Sequence, residues 1–238
     1  MTNNDTSIIA NLCNVSKAYY GKTALRNIDL TLTQGQSYGL LGPNGSGKTT
    51  LMKLIAGLHR QTAGTITVMG KPITWRTKSV VAYMPTENFI YDDFSVESTI
   101  RFFADMYRNF DRQRATEILL KHDIALKVKV GKLSSGMSAK LKFIVTLCRD
   151  AELYMFDEPL NGIDLLARDF VIEELQQLRT KQKTLVISSH LVNEMEQVID
   201  TAIFLRNGDI ARQGNKDELA MQTGKDMTEL YREVFNAS

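Results

Sequence analysis

Gly42-Pro43-Asn44-Gly45-Ser46-Gly47-Lys48-Thr49 constrains this 238-residue chain more than any other stretch. Its spacing is GxxxxGK[ST], in which glycines let successive backbone N–H groups curl around an anion with no Cβ in the way. A short apolar run, Ser37–Leu41, leads into it. Behind it, Leu51, Leu54, Ile55 and Leu58 recur at i, i+3, i+4 and i+7, which predicts an amphipathic helix. Strand, loop and helix in that order aim a helix N-terminus, with its partial positive charge, into the loop. Lys48 is then expected on the β- and γ-phosphates of a nucleotide and the Thr49 hydroxyl on Mg2+, with Thr50 beside them.

A second cluster suits the first. The apolar run 153–156 ends in Asp157, Glu158 and Pro159. Two carboxylates at a strand tip divide the work: Asp157 on the metal side, Glu158 polarising an attacking water.

Composition leaves room for a full core. Hydrophobic residues make up 43% and charged ones 24%, which excludes a disordered polyanion, a fibrous repeat or a small disulfide scaffold. A net charge of +2 is too mild to argue by itself for nucleic acid, and no nucleic-acid partner is expected. Cys13 and Cys148 have no metal-ligand spacing and read as two buried, reduced thiols. The first twelve residues lack the basic and apolar regions of a secretory leader. No apolar run reaches the length of a membrane span, and 141–148 contains Lys142.

Strands are expected at 28–33, 65–69, 80–84, 153–156 and 184–188. A hairpin is expected around Asn207-Gly208, between 202–205 and 209–213. The middle, about 95–147, is helical, with one stripe at Ile100, Phe103 and Met106 and another at Ala115, Ile118, Leu119 and His122. His122 reads as structural, and His59 as a partner of a helix C-terminus. Further helices are expected at 166–178 and 226–235. The pattern is an α/β core interrupted by a helical insertion.

From about Ile8 to Gly214 the chain resembles the ATP-binding subunits of ABC transporters. Leu133-Ser134-Ser135-Gly136-Met137 resembles the LSGGQ signature, Leu160-Asn161-Gly162-Ile163-Asp164 the D-loop, and His190 the switch histidine. Tyr19 resembles the aromatic that stacks on adenine, with Tyr20 as the alternative.

The resemblance implies one α/β domain: a P-loop NTPase (RecA-like) core, about 1–85 and 150–238, with an antiparallel β subdomain and an inserted α-helical subdomain at about 86–149. It further implies ATP and Mg2+ as ligands and a head-to-tail dimer, homomeric or with a related subunit. Ser134, Ser135 and Gly136 of one chain would then meet the γ-phosphate held by the other, while His190 steadies Glu158. The implied partner is a membrane permease, which places the chain on the cytoplasmic face of the membrane.

The signature departs from the family pattern at Ser135 and Met137, and Thr86 stands where the family has the Q-loop glutamine. Thr86 has a shorter reach to Mg2+, with Glu87 as a neighbouring oxygen donor. Tyr91, Phe94 and Phe102-Phe103 fall where the family docks its permease. The stretches 83–93 and 134–143 are similar to bacterial drug- or peptide-export ATPases of the bacitracin-exporter or Ytr-like kind, though an importer is also compatible. The other reading is an ABC ATPase acting on ribosomes or DNA. It lacks support here, since there is no second cassette, basic linker or coiled coil.

Overall fold

A computed structural model describes residues 7–190 and 192–236. Part of the leader reading, residues 1–6, lies outside these. Strand β1 (Ile8–Tyr19) turns back into β2 (Lys22–Thr33) through Tyr20 and Gly21, both at positive φ, a turn whose twist matches that of paired strands. Next come β3 (Ser37–Leu41), α1 (Lys48–Ile55), β4 (Ala63–Val68) and β5 (Lys71–Pro72). Strand β6 (Val81–Met84) precedes three helices, α2 (Val96–Met106), α3 (Arg112–Lys121) and α4 (Ser135–Leu147). Then β7 (Leu153–Asp157), α5 (Leu165–Thr180), β8 (Thr184–Ser189) and α6 (Val192–Met195) alternate. The chain closes with β9 (Thr201–Arg206), β10 (Asp209–Asn215), α7 (Lys216–Thr223) and α8 (Met227–Asn236).

Two sheets result. An antiparallel one runs β2-β1-β4-β5, and a six-stranded one runs β10-β9-β3-β8-β7-β6, parallel except for the edge strand β10. Strands β3, β7 and β8 are buried at every residue, as parallel strands covered on both faces must be. Alternation along β7 sends Leu153 and Met155 into a core shared with α1 and the antiparallel sheet. Tyr154 and Phe156 face the other way, into a core with Phe143, Val171 and Leu230. The loops at the C-terminal ends of β3, β7 and β8 therefore emerge side by side.

Ser95, Asp111, Ser134 and Asp164 each cap a helix, the side-chain oxygen accepting the N–H three residues on. Three expectations need correction. Helix α1 stops at Ile55 and Gly57 takes φ 68°, so Leu58 leaves the stripe and is 53% exposed. Met106, in the last turn of α2, is likewise 60% exposed. Cys13 is exposed while Cys148 is buried, both as free thiols. A register shift between Leu12 and Val15, with Asn14 at φ 50°, breaks the alternation that would have decided which face Cys13 takes. Among the described residues no helix is long and apolar enough to cross a membrane.

Candidate functional site

The glycine-rich loop leaves β3 and enters α1 with Gly47 as N-cap at φ 114°. A Cβ there would lie 2.8 Å from the Ala24 carbonyl, so both conformation and close approach require glycine. The loop opens onto a cavity of about 1160 Å3. Asn44, Gly45, Gly47, Lys48, Thr49 and Thr50 line it, while Gly42, Pro43 and Ser46 form the back of the loop, where the Ser46 amide donates to Pro43 O at 3.2 Å.

Lys48, nearly buried, folds onto its own loop. Its ammonium donates to Gly42 O at 2.7 Å and Pro43 O at 3.3 Å, and lies 3.5 Å from Glu158 Oε1. Asp157 and Glu158 reach the cavity from the end of β7. Glu158 adopts φ 53°, an uncommon conformation for a non-glycine residue. It is held there because its N–H meets both Ser188 O at 3.2 Å and Ser188 Oγ at 2.9 Å. The Ser188 hydroxyl in turn donates to Asp157 Oδ1 at 2.5 Å. Tyr83 donates to Asp157 Oδ2 at 3.4 Å, and burial together with the Asp157 charge pushes its phenol well above the usual range, keeping it a donor. His190, at the end of β8 and exposed, brings Nδ1 to 2.8 Å from Glu158 Oε2.

Thr86 and Glu87 line the same cavity. The Thr86 hydroxyl donates to Asp157 O at 3.3 Å, and its carbonyl accepts from Lys142 of α4 at 3.0 Å. Glu87 is already paired with Lys53 at 2.5 Å, and that bond lowers its pKa. Tyr19 also lines the cavity, its ring under the Lys17 ammonium and its phenol bonded to His59 Nδ1. Tyr20 is fully exposed and does not line the cavity. His59 lies just beyond the end of α1, where its backbone N–H donates to Lys53 O of the last turn at 3.2 Å while its ring meets the Tyr19 phenol. His122 packs against Phe170 with ring centroids 4.0 Å apart and tilted by 52°, and burial lowers its pKa.

Ser134, Ser135 and Gly136 are not among the cavity's walls. Ser134 caps α4, and the Gly136 backbone faces Gly162 and Asp164 of its own chain. Asn161 of the D-loop stretch lines the cavity, which also takes walls that the sequence motifs did not include: Gly21–Ala24 and Arg26 of the first hairpin, and Asn207. The hairpin at Asn207-Gly208 was legible as a turn, yet nothing in its sequence announced a neighbour in the glycine-rich loop.

The cavity is lined by the glycine-rich loop, one ammonium and two carboxylates, with Glu158 beside the ammonium. It suits a polyphosphate beside a cation. The oxygens offered by Thr49, Thr86 and Asp157 are hard donors of the kind Mg2+ prefers, and Ser46 Oγ and Glu158 Oε1 are buried without a hydrogen-bond partner. The family described as ABC transporter matches residues 25–161, more than half of the chain. The chain belongs to the ABC transporter family.

The linearmycin resistance ATP-binding protein LnrL of Bacillus subtilis is 32% identical over 90% of this chain and 71% of its own length. The ABC transporter ATP-binding protein YtrB of the same organism is 30% identical over 86% of this chain and 71% of its own. A solved ATP-binding subunit of an ABC transporter superposes with a TM-score of 0.87, covering 95% of this chain and 99% of that one at 25% identity. This chain is therefore an ATP-binding subunit of an ABC transporter and an ATPase, with the P-loop NTPase fold its sequence implied. Membership of a transporter family implies membrane permease partners.

Proposed function

We propose that this subunit drives outward transport of a drug, peptide or other small amphiphile by a permease, from the cytoplasmic face of the membrane. Support for export comes from the kinship with a protein named for linearmycin resistance, since outward transport of a compound produces resistance to it. The observation that carries the mechanism is the separation within one chain of the phosphate cavity from Ser134, Ser135 and Gly136. Two chains packed head to tail would bring each signature to the other's nucleotide, with the N-terminus of α4 facing the γ-phosphate.

An arriving triphosphate takes the Lys48 ammonium away from Gly42 O, Pro43 O and Glu158. Glu158 is then free to orient and deprotonate a water, while His190 holds its other oxygen. Thr49, Asp157 and Thr86 would hold Mg2+, which supplies charge neutralisation at the β- and γ-phosphates when bound. Tyr19 offers its ring to adenine. Residues 86–149 act as the inserted helical subdomain, and Lys142 links its α4 to the Thr86 carbonyl. ATP closes the pair and hydrolysis reopens it.

Light scattering on Glu158→Gln tests this. With Mg2+-ATP the variant is expected to shift from monomer to dimer and to lose turnover. Normal turnover would remove Glu158 as the base. A monomer that holds ATP would replace the homodimer with a pair made with a related subunit. Co-purification with a permease supports the transport reading, and co-sedimentation with ribosomes would overturn it.

A further inference from the structure

The molecule's only tryptophan belongs neither to the core nor to the nucleotide cavity. Trp75 stands between β5 and a 3-10 turn at Thr77–Ser79 and is 76% exposed. An indole is among the side chains with most to gain from burial, so leaving it in water forfeits a large apolar contact. Met69, also exposed, lies on the same face. Two open cavities of about 730 and 510 Å3 meet at Trp75. Lys71 and Arg76 line one, Arg60 and Lys78 the other, and neither has a carboxylate in its walls.

All four cations are exposed, and none forms an ion pair with any described residue. The Arg76 guanidinium sits over the indole at 5.2 Å. The sequence from 61 to 86 contains no Asp or Glu at all.

We propose that this face rests on an anionic lipid surface. A soluble anion would satisfy the cations and gain nothing from the indole and Met69. A purely apolar partner would leave four charges unpaired. An anionic headgroup layer over hydrocarbon answers both at once, because an indole partitions to that depth and each nearby Lys or Arg strengthens binding about fivefold. Membership of a transporter family brings the chain beside such a bilayer, whatever the cargo and direction of transport. The contact is sensitive to salt, since screening at ~0.5 M confines it to a few ångströms.

Trp75 reports on itself. Its emission is expected to shift to the blue and resist an aqueous quencher when phosphatidylglycerol vesicles are added at low salt. Phosphatidylcholine vesicles should leave it unchanged, and salt at ~0.5 M should reverse the shift. In the double variant R76E/K78E the vesicle-bound fraction should fall at least about tenfold, with ATP turnover kept. If that variant loses turnover, R60Q/K71Q carries the same comparison from the two sides of the indole. An unchanged emission with phosphatidylglycerol overturns the proposal. So does an equal shift in the charge variants, or one produced equally by soluble polyphosphate.

Discussion

At the scale of single residues the chemistry depends on groups held where they are by one or two atoms. Gly47 is such a case: with φ 114° and the Ala24 carbonyl 2.8 Å from a would-be Cβ, Gly47→Ala must push the loop away from the first hairpin. Nucleotide affinity is expected to fall at least about tenfold, measured by titration with a fluorescent ATP analogue. The two cysteines make a second contrast. Cys148 is buried and its thiol is pushed up to about 12, whereas Cys13 is exposed. One equivalent of a thiol reagent should react with the native protein and two with the unfolded chain. Above the ordinary thiol range the unfolded chain has lost the Cys148 proton and the folded one keeps it. Stability from this group therefore falls as pH rises from about 9 toward 12, by about 1.4 kcal/mol per pH unit. Thermal unfolding of Cys148→Ala against the parent protein should show that slope removed.

At the scale of elements, one buried cation joins segments far apart in sequence. Arg149, just past α4, donates to Val81 O at 2.8 Å, Lys78 O at 3.0 Å and Ser79 O at 3.4 Å, and stacks over Tyr107 at 3.8 Å. It ties the start of β6 to the end of α2. A lysine cannot reproduce the planar fork or the stacking. Arg149→Lys should therefore cost about 2–3 kcal/mol in urea unfolding, because carbonyls lose a charged donor. An unchanged midpoint would mean that water replaces the guanidinium without loss. Helix α4 begins beside Ser134, in the stretch that resembles the signature, and carries Lys142 to the Thr86 carbonyl. Its cap at Ser134 is a contact within three residues, whereas the Lys142 contact spans 56 residues and had no local signal.

At the scale of the whole molecule, the β9–β10 hairpin closes the nucleotide site from the far end of the chain. Gly208 N–H donates to Ser46 O at 2.9 Å, and Gly208 O accepts from Arg26 N–H at 2.8 Å. The turn is thus wedged between the antiparallel sheet and the glycine-rich loop. Gly208 has φ 86°, and a Cβ would lie 2.7 Å from Ala24 O. Gly208→Ala should weaken ATP binding about tenfold, because the added Cβ presses on Ala24, a wall of the cavity that Gly208 itself does not line. Calorimetric titration of the variant checks this, and parental affinity would show the loop to be independent of the hairpin.

What the sequence by itself determined is everything carried by short-range constraint. The spacing of Gly42 to Thr49, the apolar runs at β3, β7 and β8, the caps and the Asn207-Gly208 turn are local, because φ/ψ limits and a period of two or 3.6 act within a few residues. What only the tertiary structure decided are the contacts across chain distance: Ser188 bridging Asp157 and Glu158, His59 holding Tyr19, Gly208 bracing Ser46, and Cys13 facing outward at a register shift. Those depend on which strands become neighbours, and strand order is settled by burying two faces of one sheet at once, a choice that no single segment encodes.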